Sequence, residues 1–272
     1  MAVRIATWNV NGINPRLPRI LQWLEETAPD VVCFQELKCT EEAFPGAALA
    51  GLGYESAIRA DGRWNGVAVV SRAGLADVTE DLPDQPQYEG VTEPRALGAT
   101  CGPVRVWSLY VPNGRDLGHP HYAYKLRWLE ALRAMAAEEA PGERPFALLG
   151  DYNVAPKDED VWDISLFDGH THVSEAERTA LVELQKSAGL SEVYPRALKY
   201  DIPFTFWDYR QLGFQKNKGM RIDHVYGNVP FTAAVTDAYA DREARRPGKD
   251  KNPSDHAPVV VDLDLQAVTG TA

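Results

Sequence analysis

Short β-branched or apolar runs alternate with helical spacing along the chain, and polar groups gather at the ends of the runs. VRIATWNV reads as a strand, followed by a helix near Leu17 to Glu26, the apolar run DVVCFQE and, after a loop, GVAVVS. ALGATC and VRVWSLYV, joined by the Gly102-Pro103 turn, predict an antiparallel hairpin rather than a crossover, so the sheet should be mixed. An amphipathic stretch from about His121 to Glu139, ended by Pro141-Gly142, predicts the longest helix, and PFALLGDYN after it reads as a buried strand. A further helix should start at an N-cap Ser174 with Glu177 in the capping-box position and stop at Gly189. TFWDYR, RIDHVYG and PVVVDLDL read as three more strands. Hairpins mixed among helices predict an α/β fold with sheets packed face to face and helices outside.

With 272 residues, 44% of them hydrophobic, the chain is ample for one large core. No linker, repeat or low-complexity run divides it, which predicts a single domain over residues 1–265 and a flexible tail over 266–272. No stretch is apolar enough to span a bilayer, so no membrane partner is expected. Cys33, Cys39 and Cys101 are odd in number and lack CxxC spacing, which fits free thiols in a reducing cytoplasm. The net charge of −11 counts against a nucleic-acid partner unless basic residues cluster locally. Two segments do cluster them: Arg210, Lys216, Lys218 and Arg221, then Arg242, Arg245, Arg246, Lys249 and Lys251. They read equally as solvated loop charges.

Candidate chemistry sits at the strand ends: Asn9 and Asn11 in TWNVNG, Glu36 in CFQELK, Asp151 and Asn153 in LLGDYN, Asp223 in RIDHVYG, and Asp255 with His256 in PSDHAPVVV. Hard oxygen donors of this kind suit Mg²⁺ or Mn²⁺. Each fragment alone also has a bland reading, Asn9, Asn11 and Asp151-Tyr152-Asn153 as turns and His256 as a structural histidine. Only the set carries weight.

Taken together, WN, QE, GDxN and SDH in this order resemble the endonuclease/exonuclease/phosphatase superfamily. ATWNVNGI, FQELKCTEEAFP, GRWNGVAVVSR, SLYVPNGR, YKLRWLEAL, FTFWDYR, RIDH and SDHAPVVV are similar to its exonuclease III and AP endonuclease family in particular, over Arg4 to Leu263. The resemblance implies a four-layer α/β sandwich, two mixed sheets face to face between helices, with the site at one rim. It implies Glu36 as main metal ligand with Asp255 and Asn9 nearby, and Asp151 with Asn153 as a possible second position. Asp151 would orient or deprotonate water, Asn153 would hold Asp151 and a phosphate oxygen, and His256, oriented by Asp223, would bind the phosphoryl oxygen or act as base. Tyr110 would contact the phosphate.

The implied activity is metal-dependent phosphodiester hydrolysis in DNA repair by a monomer: incision 5′ to abasic sites, 3′-to-5′ exonuclease and 3′-end cleaning. The substrate would be duplex DNA with abasic or blocked 3′ ends. Asn113 and Arg115, with Arg210 and Arg221, would grip the backbone, while Phe206, Met220 and Ile222 would form an apolar slot for a flipped, base-free sugar. Some relatives have tryptophan at Met220 and aspartate at Asn11, which would leave the slot softer and the rim less acidic. Because the fold also serves lipid, inositol and nucleotide esters, a small-molecule phosphoesterase is the competing expectation.

Overall fold

The computed structural model describes residues 2–248 and 253–266. Its elements run β1 (Ala2–Asn9), α1 (Ile13–Thr27), β2 (Val31–Gln35), α2 (Gly46–Ala50), β3 (Glu55–Arg59), β4 (Val67–Ser71), β5 (Ala76–Glu80), β6 (Ala96–Cys101), β7 (Val104–Tyr110) and α3 (Pro120–Glu139). They continue with β8 (Phe146–Asp151), α4 (Glu175–Ala188), β9 (Ser191–Glu192), β10 (Arg196–Ala197), β11 (Asp223–Gly227), α5 (Val229–Ala234), β12 (Val235–Ala240) and β13 (Val259–Asp264). Seven strands form one sheet in the order β10-β12-β13-β1-β2-β4-β3, and six form the other in the order β5-β6-β7-β8-β11-β9. Both are mixed: β1 runs parallel to β2 and β7 parallel to β8, while β6 and β7 form the expected antiparallel hairpin.

Strand periodicity explains the layers. Successive side chains point to opposite faces, so Val3 and Ile5 of β1, Val31 and Cys33 of β2, Val104 and Val106 of β7, and Ala147 and Leu149 of β8 fill the space between the sheets. The alternate residues Ala6, Trp8, Val32 and Phe34 lie under α1 with Ile20, Trp23 and Leu24. Trp107, Leu109, Phe146 and Leu148 lie under α3 and α4. The result is the α/β/β/α sandwich.

Toward one rim the inter-sheet face turns polar. Thr7, Gln35 and Ser108 are all fully buried, and the Gln35 amide donates to both hydroxyls at 3.0 Å. One step further out lie Asn9, Tyr110, Asp151 and Asp223, the last three being register partners across β7, β8 and β11. The parallel pairs at the centre of each sheet thus deliver these side chains to the same edge.

Three expectations need correction. The first helix begins at Ile13, earlier than Leu17, and accommodates Pro18 within it. FTFWDYR is not a strand: Phe206 alone makes isolated bridges, to Met220 on one side and His256 on the other, before Tyr209–Leu212 turn away. The flanking backbone bonds, Thr205 N to Met220 O and Trp207 N to Asp255 O, both at 2.9 Å, do not extend these bridges into a ladder. Arg221, expected at DNA, is fully buried, with Nε and Nη2 on Asp160 at 2.7 and 2.9 Å and Nη1 on Glu192. Helix α4 matches its prediction, with the Ser174–Glu177 capping box and Gly189 in the left-handed conformation.

Candidate active site

Residues at or beside the ends of six strands, β1, β2, β7, β8, β11 and β13, meet at the polar rim. Asn9 ends β1, and its amide nitrogen donates to Glu36 Oε1 at 2.8 Å and to Asp151 Oδ2 at 2.9 Å. Glu36 follows β2 in a left-handed conformation (φ 52°), as do Asn11 (48°), Lys38 (51°) and Asn153 (51°). Such conformations cost about 1–3 kcal/mol each in non-glycine residues, and surrounding bonds must enforce them. Here Gly12 N donates to Glu36 O at 2.7 Å, Leu37 N to Gly66 O at 3.1 Å, and Asn153 N to Asp151 Oδ1 at 2.9 Å.

His256 is buried with Nδ1 at 2.8 Å from Asp223 Oδ2 and Nε2 at 3.7 Å from Asp151 Oδ2. Burial opposes its charge, but Asp223 and then Asp151 prevail and raise its pKa from 6.5 to about 10. Asp151, buried and facing the Asp223 and Glu36 carboxylates, is pushed up to about 7 even with the His256 charge beside it. Burial works against Glu36 too, yet Lys38 and the Asn9 amide hold it below its ordinary value. Burial, Glu36 and Asp151 push the Tyr110 phenol far up, and Arg95 stacks on its ring at 4.8 Å.

Ligand atoms of Glu36, Asp151 and His256 lie within 4.8 Å of one another. The Glu36 and Asp151 carboxylates, held together by the Asn9 amide, present hard oxygen donors close enough to share one divalent ion. This donor set is a divalent-metal cluster suited to Mg²⁺ or Mn²⁺.

The remaining expected residues fall into groups. Asn113 Nδ2 donates to Asn153 Oδ1 at 3.1 Å, and Asn153 Nδ2 to Val111 O at 3.0 Å. Asp255 reaches the cluster only indirectly: its Oδ1 accepts from Asn11 Nδ2 at 2.9 Å, and Asn11 Oδ1 accepts from Lys38, which pairs with Glu36. Phe206 lies with its ring centroid 5.0 Å from that of His256 and packs with Met220 and Ile222, Ala155 and Val161 completing an apolar wall. Arg115 is exposed, its guanidinium 3.4 Å from His119, and Arg210 is exposed and paired with Asp208. Of the two basic segments, Arg242 and Arg245 are buried on aromatic rings, Lys216 stays exposed, and Lys218 sits 4.2 Å over Trp162. Lys249 and Lys251 lie outside the described residues.

Two groups in the site were not among the expected ones. Lys38 Nζ is 2.8 Å from Glu36 Oε2 and donates to Asn11 Oδ1 at 2.6 Å. Its position two residues after Glu36 was the available signal. His172 places Nδ1 2.5 Å from Asn153 O and Nε2 3.5 Å from Asn113 Nδ2. Nothing local marks it, because a loop brings it there.

Known proteins share this arrangement of strands. The Endonuclease/Exonuclease/phosphatase family pattern matches residues 6–256. A 3′-5′ exonuclease (NExo) from Neisseria meningitidis superposes with a TM-score of 0.89 at 36% identity, covering 96% of this chain and all of that one. An AP endonuclease from Archaeoglobus fulgidus gives 0.87 at 32%, covering 96% and 99%. Exodeoxyribonuclease III of Haemophilus influenzae is 25% identical over 275 residues, 94% of this chain and 98% of that protein. The chain therefore belongs to the Endonuclease/Exonuclease/phosphatase family, with the fold of its AP endonuclease and exonuclease III branch.

Proposed function

We propose that the protein is a divalent-metal-dependent DNA repair phosphodiesterase that incises 5′ to abasic sites and trims or cleans 3′ ends. The observation that carries this reading is the meeting of Glu36, Asp151 and the Asp223-bound His256 at one rim. Similarity to an exonuclease, an AP endonuclease and an exodeoxyribonuclease III supports DNA as the substrate.

Glu36 is the main ligand of the ion, with Asn9 and Asp151 beside it, and Asp255 acts from behind through Asn11. Asp151 and Asn153 line any second position. When bound, the ion supplies Lewis-acid stabilisation of the phosphoryl and departing oxygens. The side chains divide the proton work. Asp223 and Asp151 raise the His256 pKa to about 10, which favours its charged form and places it to donate from Nε2 to a phosphoryl oxygen. Asp151, near 7 and 3.7 Å away, is the better-matched base for water. Tyr110 keeps its proton and can donate to the phosphate or leaving oxygen. Asn113, Asn153 and Arg115 grip the backbone, Arg210 extends that contact, and the Phe206, Met220 and Ile222 wall accepts a sugar that lacks a base. Free, buried Cys33, Cys39 and Cys101 suit a reducing cytoplasm. Among the described residues no helix is long and apolar enough to cross a membrane.

The test is cleavage of labelled duplexes that are intact, nicked, 3′-phosphorylated or abasic, with Mg²⁺ and with EDTA. Metal-dependent incision at the abasic site and release of the 3′ phosphate support the reading. Intact DNA together with hydrolysis of an inositol phosphate or lipid headgroup overturns it.

A further inference from the structure

Behind the Asn113–Asn153 amide pair lies an ion pair that the chemistry above does not use. Lys125 of α3 and Glu177 of α4 are in direct contact, and both side chains are 0% exposed. A lysine wholly removed from water is expensive unless all three of its protons are bonded. The bonds made by Lys125 are specific: to Glu177 Oε1, to Asn153 O at 2.7 Å and to Asn113 O at 3.3 Å. One ammonium therefore holds the backbone of both asparagines whose side chains bond each other at 3.1 Å.

Glu177 fixes the other half of the frame. Its Oε1 accepts from Thr171 Oγ1 at 2.7 Å and His172 N at 3.1 Å, and its Oε2 from Ser174 N at 3.2 Å. Thr171 Oγ1 is also 3.1 Å from Asn113 O. The chain after β7, the chain after β8 and the start of α4 are thereby tied to a single point. Gly114, at φ +94°, makes the close approach possible, since a Cβ there would fall 2.5 Å from Thr171 Oγ1.

We infer that the Lys125–Glu177 pair is a positioning device that sets the Asn113 and Asn153 amides against the scissile phosphate. The inference rests on the DNA phosphodiesterase reading given above. Asn153 is in the left-handed conformation and bonded to Asp151 through its own N–H, so a shift of its carbonyl moves the amide and the carboxylate together. Misplacement by about 1 Å costs on the order of 10²-fold in rate. The loss falls chiefly in kcat, because the main ligand Glu36 is held from the opposite sheet by Asn9 and Lys38, while Asp151, which moves with Asn153, makes Mg²⁺ affinity a secondary readout.

The test is the double variant Lys125→Met/Glu177→Gln, which removes both charges at nearly constant volume, compared with wild type for kcat, KM and Mg²⁺ affinity on abasic duplex. Once circular dichroism shows it folded, kcat should fall about 10–100-fold, a larger factor than the change in either KM or Mg²⁺ affinity. In an Asn113→Ala/Asn153→Ala background the same change should cost less than about threefold, since the groups it positions are gone. A folded double variant with wild-type kcat, or an undiminished effect in that background, overturns the proposal. Should the double variant not fold, Thr171→Val removes one tie at constant volume and should lower kcat about threefold while lowering the melting temperature by only a few degrees, and an unchanged kcat overturns the proposal. A wild-type protein that leaves abasic DNA intact refutes the functional reading itself, whereas an active wild type with indifferent variants refutes the positioning role alone.

Discussion

Replacing Asp223 by asparagine isolates what the carboxylate does for His256. The structure places Asp223 Oδ2 2.8 Å from His256 Nδ1, with the residue wholly buried and Oδ1 without a hydrogen-bond partner among the described residues. Its charge is the largest influence raising the histidine from 6.5 to about 10, and its hydrogen bond adds to this. A rise of that size corresponds to roughly 5 kcal/mol of preference for the imidazolium, shared between Asp223 and Asp151. The amide in Asp223→Asn would preserve shape and still accept from Nδ1, so the ring stays oriented while burial drives its pKa down to neutrality or below. At about pH 8 the imidazolium is then the minor form, and kcat should fall about tenfold if the pKa drops to about 7 and about 10²-fold if it drops to about 6. The pH profile should change as well. Wild-type kcat should show no loss of the histidine proton until near pH 10, whereas Asp223→Asn should lose about tenfold per pH unit above its own lower pKa. Stopped-time incision of a fluorescent duplex with one abasic analogue, at saturating DNA and Mg²⁺ from about pH 6 to 9.5, reads both quantities. A variant with kcat within about threefold of wild type across that range, and a parallel profile, would refute the assignment of His256 as a charged donor.

Metal affinity should itself depend on pH, because Asp151 titrates near 7 and must lose its proton to join Glu36 around an ion. Calorimetry should show Mg²⁺ binding tightening by up to about tenfold per pH unit below 7 and levelling above it, and Glu36→Ala weakening it at least about tenfold; a flat profile contradicts the cluster. Arg221→Met leaves Asp160 and Glu192 without their guanidinium, so denaturant unfolding should register a loss of about 3–5 kcal/mol while the salt dependence of DNA binding stays unchanged. A stable variant with a shallower salt slope would instead put Arg221 on DNA. Gly150→Ala would set a Cβ 1.9 Å from the Leu109 carbonyl oxygen, a backbone atom of the neighbouring parallel strand that cannot swing aside. The expected cost is about 3 kcal/mol or more, measured by thermal unfolding, and an unchanged melting temperature would show that β7 and β8 do not approach as described.

The division of labour within the site follows from sheet geometry. Period-2 alternation sends every second residue of β1, β2, β7, β8 and β11 between the sheets, and the outermost of these inner positions are polar. Oriented backbones, not flexible loops, therefore carry Asn9, Tyr110, Asp151 and Asp223, which suits groups whose relative placement sets their protonation. The loops carry Asn11, Glu36, Lys38 and Asn153 in left-handed conformations that neighbouring backbone bonds enforce.

Much of this was legible from the chain alone. Alternation and propensity are local properties, so the apolar runs, the hairpin at Gly102-Pro103 and the caps of α4 could be read directly, as could the polar residues at the strand ends. Tertiary structure alone decided which charges are withdrawn from water. Arg221 reads as a cation for DNA and nothing local marks Lys125 as buried, yet one lies against an aspartate 61 residues away in sequence and the other against a glutamate 52 residues away. Phe206 likewise has strand chemistry, but only its two isolated bridges form before the chain turns away at Tyr209. Neighbours in sequence determine the conformation a segment prefers. The fate of a charge depends on whether a distant partner reaches it, because desolvation is repaid only by contacts that folding creates.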